Sequence, residues 1–301
     1  MKSATNLSKA LFLFIDGIGI GSSDPEINPF AALPSRIFSN YSDRNGTAIA
    51  FGGVLAVTDA TLGVPGLPQS ATGQTALLTG INAAAQLGRH LNGHPNQELR
   101  ELLARESVFV KLKSMGLSVA FANCYRPQFF EKMPRRVSVT TSACLSAGVR
   151  LNTLDDLRAG RAVYQDFTHE WLRERGEDIE WRDPHQAGAT LAVIAGEYDF
   201  TLYEHFLTDL AGHSLDRERA LAIAGNLERF LFGVLENIDL DRTSVLLSSD
   251  HGNLEDLSTK SHTRNPVHTI YWGRHAARMA SRVQCITDVT PALVEVLSLE
   301  Q

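Results

Sequence analysis

The 301-residue sequence predicts an α/β protein, a mostly parallel central sheet with helices on both faces. Residues 11–15, Leu-Phe-Leu-Phe-Ile, form an unbroken apolar run closed by Asp16 and Gly17, as a strand buried on both faces requires. Short apolar runs at 200–203, 244–248 and 268–272 alternate with stretches of helical length, the pattern of a sheet covered on two sides. Apolar residues make up 44% of the chain and charged residues 21%, so one large core is affordable and a single domain spanning 1–301 is expected.

A mixed stretch at 48–58 reads as one or two strands, and the glycines at 17, 19 and 21 let the chain turn away from the first strand. Pro65 and Pro68 lead to Ser70, which reads as the N-cap of a helix over 71–85. Helices are expected at 96–104 and 108–115, with Gly116 ending the second before a strand at 118–122. Residues 126–184 are the least regular. They contain the pair Arg135-Arg136, read as exposed, a β-like run at 136–141, and helical stretches at 154–159 and 167–175. This segment reads as a small insertion or cap over the sheet edge. Order returns with a helix at 185–196, the longest helix at 216–236 and a closing helix at 289–297.

A net charge of −6 argues against a nucleic-acid partner, which needs a basic face. It leaves open a small phosphorylated substrate, because bound metal ions can supply local positive charge. Cys124, Cys144 and Cys285 show no CxxC spacing and read as buried, reduced cysteines. Lys2 and Lys9 flank the start of an apolar run that Asp16 cuts too short for a secretion signal, and no stretch has the length of a membrane span. A cytoplasmic protein with no membrane partner is expected.

Metal-ligand residues gather where the strands end. Asp16 closes the first strand, Asp209 and His213 follow the strand at 200–203, Asp250-His251-Gly252-Asn253 follows the strand at 244–248, and His262 lies one loop later. In a parallel sheet those ends share one edge, where ligands bind. Carboxylates and imidazoles without thiolates suit zinc or manganese, and there are more of them than one ion needs. A pair of ions can clamp the attacking and leaving oxygens of a phosphoryl displacement. Ser70, at a predicted helix N-terminus, is the candidate nucleophile, with Thr72 and Thr75 as competitors. Gly73 would let backbone approach a bound phosphate.

The set Ile15-Asp16-Gly17, Ser70-x-x-Gly73, Asp209-x-x-Gly212-His213, Ser249-Asp250-His251-Gly252-Asn253 and His262-Thr263-x-Asn265-Pro266-Val267 resembles the alkaline phosphatase superfamily. Within it, the order of motifs is most similar to the cofactor-independent phosphoglycerate mutases and phosphopentomutases. The resemblance implies an alkaline-phosphatase-like three-layer sandwich and two divalent metal ions, zinc or manganese. It implies that Asp16, Ser70, Asp250 and His251 hold one ion and Asp209, His213 and His262 the other. Ser70 would then be phosphorylated in turnover, with Gly73, Gln74 and Arg264 facing substrate. Those mutases carry histidine where this chain has Gln74, proline where it has His268, and a larger inserted domain. The smaller cap favours a phosphomonoesterase acting on a small phosphorylated metabolite. A phosphomutase is the alternative, and an inactive binding protein on the same scaffold a more distant one. The C/S-x-P-x-R pattern of sulfatases is absent, since positions 72 and 74 are Thr and Gln.

Overall fold

The structure, a computed structural model, describes residues 9–131 and 137–299. Lys2 and the Arg135-Arg136 pair lie outside them. Six strands form one sheet: β1 Lys9–Ile15, β2 Val54–Thr58, β3 Val119–Phe121, β4 Phe200–His205, β5 Thr243–Ser248 and β6 Val267–Trp272. Their order across the sheet is β2-β6-β5-β1-β4-β3. Strands β5, β1, β4 and β3 run parallel, while β6 is antiparallel to both of its neighbours, β5 and β2. The sheet is therefore mostly parallel, as the sequence predicts, with one reversed strand that apolar patterning does not reveal.

Strand β1 shows why the middle layer forms. Ala10, Phe12 and Phe14 enter one apolar core, while Leu11, Leu13 and Ile15 enter the other. Successive side chains point to opposite faces, so an all-apolar strand needs cover on both. Helices Ser70–Thr79, Gln97–Glu106 and Val289–Ser298 supply residues to the first core. Helices Pro184–Ala195 and Arg217–Asn237 supply the second, the latter capped by the Asp216 side chain and 21 residues long. The result is a three-layer α/β arrangement.

Several local expectations are corrected. Ser70 is the first residue of its helix, with Gln69 in the cap position, and the helix stops at Thr79 because Gly80 turns left-handed (φ 77°). A separate short helix, Ala83–Leu87, follows. The β-like run at 136–141 is helical from Val139, within Val139–Ser146, and Arg136 lies outside the described residues. The helix expected from 167 begins only at Glu170, since Phe167 and His169 have positive φ. Cys124 and Cys144 are buried and free, whereas Cys285 is half-buried rather than buried. Among the described residues no helix is long and apolar enough to cross a membrane.

Candidate metal centre

The C-terminal edge of the parallel strands assembles the site. Asp16 is the first residue beyond β1, and its amide donates to the His205 carbonyl at the end of β4 (2.9 Å). Asp250 and His251 lie just beyond β5. Asp209 and His213 sit one turn apart on helix Leu207–Ser214, which begins directly after β4, so both project from one helix face. Because β2 runs parallel to β5, its end also reaches this edge, and the chain continues from there to Ser70. Because β6 is reversed, its beginning lies here, and His262 arrives in the loop that precedes it.

Two groups of donors result. His251 Nε2 lies 3.2 Å from Ser70 Oγ and 3.4 Å from both Asp16 Oδ1 and Asp250 Oδ2. In the second group the Asp209 carboxylate lies 3.4 Å from His213 Nε2 and 3.5 Å from His262 Nε2. The two Nε2 atoms are 3.1 Å apart. The rings of His251 and His262 stack with centroids 3.7 Å apart, so the groups share a wall.

Imidazole tautomers follow from the outer contacts. His213 Nδ1 faces the Lys260 carbonyl (2.6 Å) and His262 Nδ1 faces the Pro68 carbonyl (2.8 Å). A carbonyl only accepts, so each Nδ1 carries the proton and each Nε2 presents a lone pair inward. Two lone pairs and a carboxylate then converge with no proton between them, the arrangement a cation resolves.

The first group makes the same demand through burial. Asp16 Oδ1, both Asp250 carboxylate oxygens and His251 Nδ1 are buried without a hydrogen-bond partner among the described residues. Burial, and then the charges of Asp250 and Asp209, hold the Asp16 carboxyl well above its ordinary range. Burial, with Asp209 adding to it, also pushes Asp250 up. Burial, followed by the neighbouring His262, drives His251 well down, toward the neutral form that binds metals. Unpaired buried carboxylates are costly, and a divalent cation offsets that cost. The triads Asp16–Asp250–His251 and Asp209–His251–His262 each bring three ligand atoms within 4.8 Å of one another. Oxygen and imidazole donors without thiolate fit divalent cations of intermediate hardness.

The other expected site residues divide. Gln74 joins the first group, its Nε2 donating to Asp16 Oδ2 (3.1 Å). Gly73 faces protein: a Cβ there would lie 2.8 Å from the Asp250 carbonyl oxygen, so the glycine is what lets Asp250 approach the Ser70 helix. Thr72 and Thr75 are buried, and their hydroxyls donate back to Gln69 and Ala71 carbonyls of their own helix (3.1 and 2.6 Å). Arg264 is exposed and donates to the Gly66 carbonyl (3.2 Å).

Glu255 went unnoticed in the sequence. It is fully buried, and its Oε2 accepts from the amides of Gly19 and Asn253 (2.8 and 2.7 Å). Its Oε1 accepts from Thr263 Oγ1 (2.5 Å) and Asn265 Nδ2 (3.1 Å). One carboxylate thus ties together the loops bearing Asp16, Asp250-His251 and His262. Asn253 extends the tie, its Nδ2 donating to Asp209 Oδ1 (2.7 Å). Gly252 admits the carboxylate, since a Cβ there would lie 2.2 Å from Glu255 Oε1.

A profile of the Metalloenzyme superfamily matches residues 185–301, the stretch carrying Asp209, His213, Asp250, His251 and His262. A 2,3-bisphosphoglycerate-independent phosphoglycerate mutase of Colwellia psychrerythraea is 26% identical over 117 residues, 36% of this chain and 22% of the mutase. Both likenesses support a relation to the alkaline phosphatase superfamily. A second such mutase, from Wolinella succinogenes, is 27% identical over 124 residues, covering 40% of this chain and 25% of that enzyme. The matched stretch thus spans about a quarter of the length of these curated relatives. Two solved structures share this fold along nearly the whole chain. The PH0037 protein from Pyrococcus horikoshii has a TM-score of 0.60 at 15% identity and covers 97% of both chains. A cold-active alkaline phosphatase from a psychrophilic Shewanella has a TM-score of 0.53 at 11% identity, over 96% of this chain and 99% of that one.

Proposed function

We propose that this protein is a metal-dependent phosphomonoesterase that acts on a small phosphorylated metabolite through a phosphoserine at Ser70. The single domain would carry residues 126–184 as a small cap. Asp16, Ser70, Asp250 and His251 would hold one divalent ion, zinc or manganese, and Asp209, His213 and His262 a second. Bound there, the ions would balance the charge of the carboxylates and of the phosphate oxygens.

The observation that carries the reading is the position of Ser70 Oγ, 3.2 Å from His251 Nε2 at the junction of the two donor groups. Thr72 and Thr75 have their hydroxyls committed to helix carbonyls, which supports Ser70 as the nucleophile. Its place at a helix start adds amide dipoles that favour an anion. Gln74 orients Asp16, and Glu255 holds the loops in register. In the first half-reaction the Oγ–P bond forms, the ester P–O bond breaks, and the serine proton leaves with the alcohol. Water then cleaves the phosphoserine, restoring the hydroxyl and releasing inorganic phosphate.

The curated relatives named above are mutases, which favours a second reading in which a substrate hydroxyl takes the place of water. Net phosphate release separates the two. With manganese or zinc supplied, p-nitrophenyl phosphate and a panel of phosphorylated metabolites should release inorganic phosphate. Ser70→Ala should abolish labelling of the protein by a 32P-ester while metal content stays near wild type. Isomerisation of 2- and 3-phosphoglycerate without phosphate release would replace the esterase reading by the mutase one.

A further inference from the structure

A cleft of about 560 Å³ lies at the ends of β3 and β4, lined by residues of those strand ends and of the 126–184 segment. Its lining includes residues of the sheet edge that also carries the metal centre. Glu204, in its lining, pairs across the strands with Phe14, two residues before Asp16. Phe206, also in the lining, precedes the helix that carries Asp209 and His213.

The lining combines aromatic faces with one buried carboxylate. Tyr125 and Phe129 pack with ring centroids 4.4 Å apart, and Trp171 and Phe206 at 6.2 Å come from other elements. Glu204 is 7% exposed, and Thr140 Oγ1 donates to its Oε2 (2.6 Å). Its backbone is closed off by Asn123, whose side chain accepts from the Glu204 amide (2.9 Å) and donates to its carbonyl (2.7 Å). Burial raises this carboxyl to about 7, so an N–H donor from a ligand would stabilise its charged form. The described arginines of the lining are engaged: Arg126 with Glu177 (2.9 Å), and Arg175 over the Trp171 ring (4.5 Å). An anionic alcohol part, such as a carboxylate, would meet Glu204 as a like charge.

We propose that this cleft receives the alcohol part of the phosphate ester, resting on the reading above for the phosphate end, and selects a flat, N–H-bearing heterocycle such as a nucleotide carries. The ring stacks on the aromatic side chains and its N–H groups donate to Glu204.

Two measurements test the cleft and the chemistry separately. In the protein as purified, guanosine and cytidine should quench tryptophan fluorescence saturably, while ribose and 3-phosphoglycerate should not. Trp171→Phe should remove the quench, and Glu204→Gln should weaken nucleoside binding at least tenfold, with Phe129→Leu as an independent lesion of the wall. A quench that persists in Trp171→Phe, or binding unchanged in both Glu204→Gln and Phe129→Leu, overturns the proposal. In turnover, nucleoside monophosphates should exceed glycerol 2-phosphate in kcat/KM by at least tenfold. Hydrolysis of glycerol 2-phosphate with no nucleotide preference sinks the cleft assignment and leaves the esterase reading intact. Nucleoside binding without hydrolysis of any ester does the reverse.

Discussion

Glu255 makes four hydrogen bonds from full burial, and each goes to a loop that bears site residues. Replacing it with glutamine sets an N–H₂ against donors, losing acceptance on one side while keeping the volume. Groups that orient metal ligands typically contribute 10–100-fold to affinity. Glu255→Gln should therefore weaken manganese or zinc binding by about that factor in competition with a chromophoric chelator, with the circular dichroism spectrum unchanged. Affinity within twofold of wild type would reduce Glu255 to a packing residue. The contrast with Asp16, Asp250 and His251 explains what the sequence could tell. Metal chemistry demands particular residue types, so those letters carry their meaning in isolation. Glu255 acts through neighbours that only folding brings to it. Gly73 was legible as a close-approach position, but its neighbour, Asp250, is distant in sequence and was not.

At the scale of elements, β1 was readable because a strand covered on both faces must be apolar throughout. Phe12→Ala should cost about 3–5 kcal/mol, measured by denaturant titration, since it opens a cavity in a fully buried layer. The β-like run expected at 136–141 misled for the opposite reason, as its described residues show. Its β-branched residues favour strands in isolation, yet the Ser138 side chain caps a helix at Thr141, Thr140 reaches Glu204, and Thr141 bonds the Tyr125 hydroxyl (2.8 Å). Tertiary contacts override weak propensity. His205, at the end of β4, ties that strand to the inserted segment: its Nδ1 donates to the Gln165 carbonyl (2.6 Å) and its ring stacks on Phe167. Burial lowers it to about 4. Below pH 6.5 the unfolded chain protonates this histidine and the folded chain does not, so stability present above 6.5 is lost as pH falls toward 4. The loss attributable to His205 is about 3 kcal/mol. His205→Gln should flatten the stability profile across that window in urea titrations; an unchanged slope would dismiss the assignment.

For the whole molecule, the proposed reading would set cations and protons in competition for the same atoms. Asp16 and Asp250 are held up and would have to lose their protons to ligate, so each binding event should release protons and affinity should rise with pH. At a hundredfold excess over Kd, a divalent ion should add about 2.7 kcal/mol of stability. At roughly 2 °C per kcal/mol for a chain of this size, Tm should rise by roughly 5 °C, and by less at pH 6 than at pH 8. Equal increments at both pH values would contradict proton competition. The three-layer architecture was legible from alternating patterns, but the direction of β6 was not, because an apolar run carries no sign. That reversal is what delivers His262 to the edge ahead of its strand.

The place of β1 between β4 and β5 has a consequence for synthesis. As the chain leaves the ribosome, β1 emerges long before either strand that flanks it. Its edge toward β4 must wait, unpaired, until His205 is free of the exit tunnel, and its edge toward β5 until Ser248 is. Loop-closure entropy makes such distant pairing slow, and exposed strand edges in the interval invite association with other chains. Nascent chains halted before β5 should therefore remain protease-sensitive and engage holding chaperones, and chains released after β6 should not.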